Sequence, residues 1–280
     1  GAAERFFIEQ PIEGQFLQQF RKGSSDAKDF VVSFYAKANG NFTYVCGFYD
    51  ADNDRTVSRT FAVTSSWQRF EINFGADTSG AFDHDAGLSL QLRWYLHAGS
   101  NYTGGTHTDN TWHTTANQRV GDNQSSIFDA TSRTFFLTGV QMEIGYNQTD
   151  FEHRDYVEEL AICQRYFFQM KEGNSQYTQF GIGRFHNTTA GNVHINFPVP
   201  MRDSPSFSAL GSNSDYDFSP TNVPQAEAIT TGNATVGSEE NATGMTLGNA
   251  FSSVTNGAVY ILGANAGTAG PAGLQFSADL

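Results

Sequence analysis

The chain has 280 residues, of which 16 are Lys or Arg and 29 are Asp or Glu, for a formal net charge of −13. Charged residues make up only 16% of it, Phe (25) and Gly (28) are abundant and Pro (7) is scarce, which suits aromatic strands and turns and excludes a collagen-like repeat. An acidic balance of this size argues against a phosphate backbone as partner, because that needs clustered Lys and Arg to release counterions. No nucleic-acid partner is expected.

From Phe30 to about Gly145 apolar and polar residues alternate with period two, the signature of half-buried antiparallel strands. The clearest case is 88–97, where Leu88, Leu90, Leu92, Trp94 and Leu96 share one face and Ser89, Gln91, Arg93, Tyr95 and His97 the other. Strands are likewise predicted at 29–38, 41–49, 57–63, 67–74 and 133–144, with Trp67 and Trp94 on core faces. Turn clusters separate them, at Asn39-Gly40, 50–54, 77–80 and 99–101. A long polar loop over 98–124, carrying Tyr102, His107, Trp112, His113 and Arg119, interrupts the series. So many short strands predict a sandwich or jelly roll rather than a parallel sheet.

One helix is predicted beyond them. Tyr156, Leu160, Cys163 and Phe167 recur at helical spacing as a stripe expected to pack on a sheet, Asp155 is placed to cap the start, and Glu158 and Glu159 suit the macrodipole. From Asp203 to Leu280 there is no Lys or Arg, and Gly, Ala, Ser, Thr and Asn dominate. Short strands are predicted there at 207–210, 245–247, 258–261 and 274–276, after others at 179–184 and 192–197. So thin an apolar supply predicts self-association, as a trimer, to bury shared strand faces. Cys46 and Cys163 each sit among apolar residues and are expected as buried free thiols. No apolar run approaches the roughly 20 residues of a membrane span, and Gly1-Ala2-Ala3-Glu4 lacks a signal-peptide core. A soluble chain without membrane insertion is expected.

Two stretches carry a resemblance. Phe135-Phe136-Leu137-Thr138-Gly139-Val140-Gln141-Met142-Glu143-Ile144-Gly145, with 149–154 and 158–167 after it, closely resembles a segment recurrent in tail-fibre and virion-appendage proteins of bacteriophages, marine ones especially. Thr64-Ser65-Ser66-Trp67-Gln68-Arg69-Phe70-Glu71-Ile72-Asn73-Phe74 resembles the strand element of carbohydrate-binding modules. With 98–102 the resemblance covers roughly residues 4–168. It implies an all-β chain: a carbohydrate-binding-module-like jelly roll over 1–150, a connecting helix over 151–170, and a small β tip or oligomerisation domain over 171–280. It further implies a virion appendage that attaches to a host surface glycan and assembles with other virion proteins, a purely structural decoration or adaptor subunit being the alternative. Thr138-Gly139-Val140-Gln141 stands where many such modules carry acidic calcium ligands, so no calcium is expected at that position.

The chemistry points the same way. Arg93, Tyr95 and His97 on one strand face, joined by Tyr35 and Lys37 if the strands are neighbours and closed by Tyr102 and Trp112, supply the flat rings and polar groups a sugar site needs; the alternative is that Trp112 anchors the loop and the polar face docks on a neighbouring subunit. Glu152, His153 and Arg154 are expected to fix the turn from the last strand to the helix by hydrogen bonds. The acidic runs Asp50, Asp52, Asp54 and Asp83-His84-Asp85 are expected as solvated turns rather than cation sites. His97, His107 and His113 lack a ligand spacing. No metal or cofactor is expected, and neither is catalysis. G-x-S-x-G, HExxH, P-loop and GxGxxG motifs are all missing, and Glu71 and Glu143 are expected as solvated strand residues rather than a glycosidase pair.

Overall fold

The computed structural model describes residues 1–121, 124–172, 178–212, 215–219, 223–224, 229–238, 241–250, 255–264 and 272–280. It is an all-β architecture of several antiparallel sheets in two compact units, Gly1–His153 and Arg154–Asp279.

The first unit contains β1 (Arg5–Glu13), β2 (Phe30–Ala38), β3 (Phe42–Asp50), β4 (Arg55–Val63), β5 (Gln68–Phe74), β6 (Leu88–Ala98), the short α1 (Ser100–Thr103) and β7 (Phe135–Ile144). Four strands form one sheet in the order β1-β6-β3-β4 and three form another in the order β5-β2-β7. Alternation decides what each sheet buries. Phe30, Val32, Phe34 and Ala36 of β2 meet Leu90, Leu92, Trp94 and Leu96 of β6, with Tyr44, Cys46, Phe48, Phe61 and Phe74 around them, in one shared core. Phe34 lies at its centre, stacked on Phe70 at 5.3 Å and edge-on to Phe61 at 5.2 Å and Trp94 at 5.5 Å. Such pairs contribute about 0.5–1.5 kcal/mol each beyond the area they bury. β1, which breaks the alternation with Pro11, lies at a sheet edge, where a missing N–H is tolerated.

Trp67 is corrected from core to surface, 47% exposed. In 67–74 the inward residues are Phe70, Ile72 and Phe74, and period two puts Trp67 with Arg69, Glu71 and Asn73 on the other face. Asp50 is also corrected, from solvated turn to fully buried. Its carboxylate accepts from Lys22 Nζ at 2.5 Å and from the Asn53 backbone and side chain. The same ammonium donates to the carbonyls of Ser79 and Gly80 at 2.9 and 2.7 Å and lies 3.1 Å from Asp77, which Arg55 holds with two bonds of 2.6 and 2.9 Å. Lys22 thereby ties the segment before β2 to the ends of β3 and β5. Burial raises the Asp77 pKa, but Arg55, the Ser79 N–H and Lys22 outweigh it and hold the carboxyl below its ordinary value.

The second unit contains α2 (Tyr156–Gln164), β8 (Phe167–Lys171), β9 (Gln179–Phe185), β10 (Ala190–Met201), β11 (Ser206–Leu210), β12 (Tyr216–Ser219), β13 (Val223–Pro224), β14 (Ile229–Ser238), β15 (Asn241–Ala250), β16 (Val259–Ala264) and β17 (Gly273–Ser277). Seven strands run in the order β13-β12-β16-β9-β10-β15-β14, and three in the order β11-β17-β8. Phe180, Phe185, Val193, Ile195, Tyr260, Leu262, Leu274 and Phe276 are among the buried residues of its core. Gly183 is paired with Tyr260, and a Cβ there would fall 2.4 Å from the Tyr260 ring, which instead stacks on Phe185 at 4.5 Å. The buried residues of this half form a core cluster of their own, in which glycine at 183 leaves the space that the Tyr260 ring occupies.

The helix at 156–164 forms where the pattern predicts, with Asp155 accepting the Val157 N–H at 2.8 Å. Its stripe does not pack. Tyr156 is 76% exposed, Val157, Leu160 and Ile162 are exposed, and Cys163 is an exposed thiol rather than a buried one. Phe167 begins β8 instead of ending the helix, and both α2 and β8 belong to the second unit. Cys46 is buried as expected, and burial pushes its thiol pKa far up.

Replacing Lys22 with Met is expected to cost about 3–5 kcal/mol, because it leaves the buried Asp50 carboxylate without its cation while Asp77 keeps Arg55, measured by urea unfolding. Because Asp77 is held below 3.8, its contribution is complete above that pH and is lost as pH falls through its lowered folded value. Asp77→Asn should therefore remove a component of the acid-unfolding curve below about pH 4.

Candidate functional site

The expected site on β6 is covered. Arg93 is 5% and Tyr95 2% exposed, which corrects the open polar face anticipated for that strand. Arg93 pairs with Glu9 at 2.8 Å, donates to Gln91 and the Tyr95 hydroxyl, and lies between the rings of Phe7 and Tyr49, 4.7 Å from each centroid. Tyr95 sits with Val45 and Val120 in a small cluster against which Phe7 and Tyr102 pack. His97 shares a 2.8 Å hydrogen bond with Ser126 and meets Phe128 edge-on. Trp112 anchors the loop: its indole N–H donates to the Gly75 carbonyl at 2.8 Å and its ring packs on the core and under Lys22. Tyr35 and Lys37 cannot join these residues, because β2 and β6 belong to different sheets.

Phe7 and Glu9 of β1 cover Arg93, and the long loop, whose Tyr102 and Val120 pack on Tyr95, folds back on the same sheet. His113 exchanges backbone hydrogen bonds with Thr56, and Arg119 pairs with Asp54 at 2.9 Å. Ser58 Oγ donates to the Arg119 carbonyl at 2.8 Å and lies 2.9 Å from His107 Nε2. These two contacts tie the loop to β4.

The outward face of the other sheet is open at its Trp67 end, and the cross-strand register arranges it in rows. Lys37 is paired with Phe136, and one step beyond the Ala36–Gln68 pair it adjoins Trp67. Its ammonium lies 5.1 Å from both ring centroids, and the rings meet at 62° and 6.4 Å. The next row is Arg69, Tyr35 and Thr138, the next Glu71, Ser33 and Gln141. Trp67, Phe136 and Tyr35 are among the exposed large apolar side chains. A bulge at Gly139 keeps Gln141 and Glu143 on the same face as Phe136 and Thr138. Its φ of +60° suits glycine, and a Cβ would fall 3.1 Å from the Tyr35 ring.

The segment 149–153 bounds the face. Glu143 accepts the Thr149 N–H and hydroxyl, Gln141 donates to Thr149 Oγ1 and accepts the Glu152 N–H at 2.8 Å, and Arg69 donates to the Thr149 carbonyl. The turn is thus fixed chiefly by Gln141, Glu143 and Thr149. Of the three residues expected to fix it, Glu152 gives its backbone N–H, His153 meets the Phe151 ring at 5.1 Å, and Arg154 pairs with Glu159 at 3.4 Å. Burial raises the Glu143 pKa, but the bonds from Gln141 and Thr149 and the charge of Arg69 outweigh it. A carboxylate so held is a poor general acid. Between the edge strands β4 and β5 lies a cleft of about 260 Å³ lined by Arg59, Thr60, Phe61, Phe70 and Glu71.

Among the described residues no group of three or more His, Cys, Asp or Glu could hold a metal. The nearest approach to a cation cage, Asp50 and Asp77 with the Ser79 and Gly80 carbonyls, is filled by Lys22 Nζ. No helix among them is long and apolar enough to cross a membrane. No family model matches the chain, and no curated protein or solved structure is significantly similar to it.

Burial, reinforced by Arg119, His107 and Arg55, lowers the His113 pKa from 6.5. The folded state thus resists a proton that the unfolded chain accepts, so its stability is complete above 6.5 and declines as pH falls below it. Hydrogen-exchange protection of 99–121 is expected to fall between pH 7 and 5, and His113→Gln to flatten that dependence.

Proposed function

We propose that the chain is a non-enzymatic glycan-binding subunit of a particle-borne appendage, a bacteriophage tail fibre or similar structure that attaches to a host surface. The observation that carries this reading is the exposed row of Trp67, Lys37 and Phe136 with Tyr35 beneath it. Flat aromatic surface stacks on the apolar faces of sugar rings, and adjacent donors and acceptors orient the hydroxyls. Arg69, Glu71 and Gln141 supply these in the adjoining rows. The sheet orders β1-β6-β3-β4 and β5-β2-β7 around one core support a jelly roll of the carbohydrate-binding-module kind. The resemblance of 135–167 to virion-appendage proteins supports the particle context.

A shallow sheet face of this kind holds a saccharide weakly, and many copies on one particle raise effective affinity by avidity. We propose a homotrimer, supported by the exposed apolar residues Tyr156, Val157 and Leu160 of α2, a kind of surface that favours association. Light scattering tests it: a trimer mass that Leu160→Glu converts to monomer is expected, and a monomer at high concentration rejects it.

Binding of multivalent chain to a glycan array tests the site. Trp67→Ala is expected to weaken binding about tenfold with unfolding unchanged, and Trp112→Phe to leave it intact. Loss of binding in Tyr102→Ala but not in Trp67→Ala would place the site on the other sheet.

A further inference from the structure

Lys37 differs from the other cations of this face. Arg69 lies within ion-pair distance of Glu71 and Asp150 and donates to the Thr149 carbonyl. Among the described residues Lys37 has no carboxylate or hydrogen-bond acceptor; it has two rings, each 5.1 Å from its ammonium. Glu71 lies four positions further along the strand register from Trp67, about 13 Å at the rise of an extended strand, with Arg69 between. The rings hold the ammonium in place without neutralising it, because a cation over an aromatic face keeps its charge and its N–H donors. The face is therefore polarised, cationic and aromatic at the Trp67 end and acidic at the end of Glu71 and Glu143.

We infer that this face selects an acidic saccharide, with the sugar ring on Trp67 or Phe136 and its anionic group on Lys37 Nζ. Charge complementarity names the occupant. A neutral sugar would leave the ammonium desolvated and unpaired between two rings and the ligand, which is costly, whereas a carboxylate or sulfate ester at that point meets three free donors. This rests on the glycan-binding reading of the same face and adds the class of sugar.

The test uses the full chain and three probes on one scaffold: an oligogalacturonate, its methyl ester, which has the same rings without the charge, and a sulfated oligogalactan. At low salt the oligogalacturonate or the sulfated probe is expected to bind about fivefold tighter than the ester, the scale of an exposed ion pair, and whichever of the two does so identifies the anion. The preference should shrink as ionic strength rises. Lys37→Met should bind acid and ester alike, Lys37→Arg should keep the preference, and Trp67→Ala should weaken every probe. Binding of neither anionic probe tighter than the ester by the unaltered chain, or a preference that survives in Lys37→Met, overturns the inference and leaves the glycan reading standing. Failure of all three probes and of the glycan array overturns both.

Discussion

Strand β2 is the constraint on which the first unit depends. It lies between β5 and β7, and its residues alternate direction at each step. Phe30, Val32, Phe34 and Ala36 point inward to the core, so Val31, Ser33, Tyr35 and Lys37 must point outward. Slipping the register by one would bury Lys37 and expose Phe34, losing the ring contacts that join the two sheets. The aromatic face is thus fixed by the core beneath it. Along β2 the outward residues divide again: Val31 and Ser33 are buried, while Tyr35 remains exposed.

The ion pairs show how an acidic chain handles the charges it buries. Asp50 and Asp77 approach one ammonium, and Arg55 supplies a second cation to Asp77. Removing carboxylates from water costs several kcal/mol each, and only close pairing with hydrogen bonds on the remaining lone pairs offsets it. Lys22, the β3–β4 connection with Asp50, Asn53 and Arg55, and the segment Asp77 to Gly80 are the three segments that complete that set. The cluster therefore specifies which segments meet, as well as contributing stability.

Much of this was legible from period and turn chemistry. The inward series of β6 and the helix at 156–164 follow from spacing and capping alone. The six predicted strands of the first half match β2 to β7 within two residues, because each is a long alternating run bounded by turn residues. β1 was illegible because Pro11 and two adjacent phenylalanines break its alternation, and β14 because Thr, Gly, Asn and Ala give no apolar period. The β6 face was read as open for a different reason. Alternation shows that Arg93 and Tyr95 share a face, but a sequence does not show that β1 and the residues Tyr102 and Val120 come to cover them. Trp67 was legible and misread: its parity with Arg69 and Glu71 already placed it outward. The positive φ of Gly139 is a long-range outcome of pairing β7 with β2.

The net charge of −13 bears on how such a face would find its ligand. A uniformly acidic field repels an acidic polymer at distances beyond a Debye length, about 8 Å at physiological salt. Within that distance the local arrangement governs, and around Trp67 the nearest charges are Lys37 and Arg69. A ligand meeting a short-range site through a repulsive outer field associates slowly and gains little from long-range steering, so residence must come from stacking and from several chains engaging one polymer at once. The absence of Lys and Arg from 203–280 concentrates the basic residues in the first half of the chain. Both units are nonetheless net acidic, so what attraction this face has for an anion is local to Lys37 and Arg69 and does not come from the field of its unit.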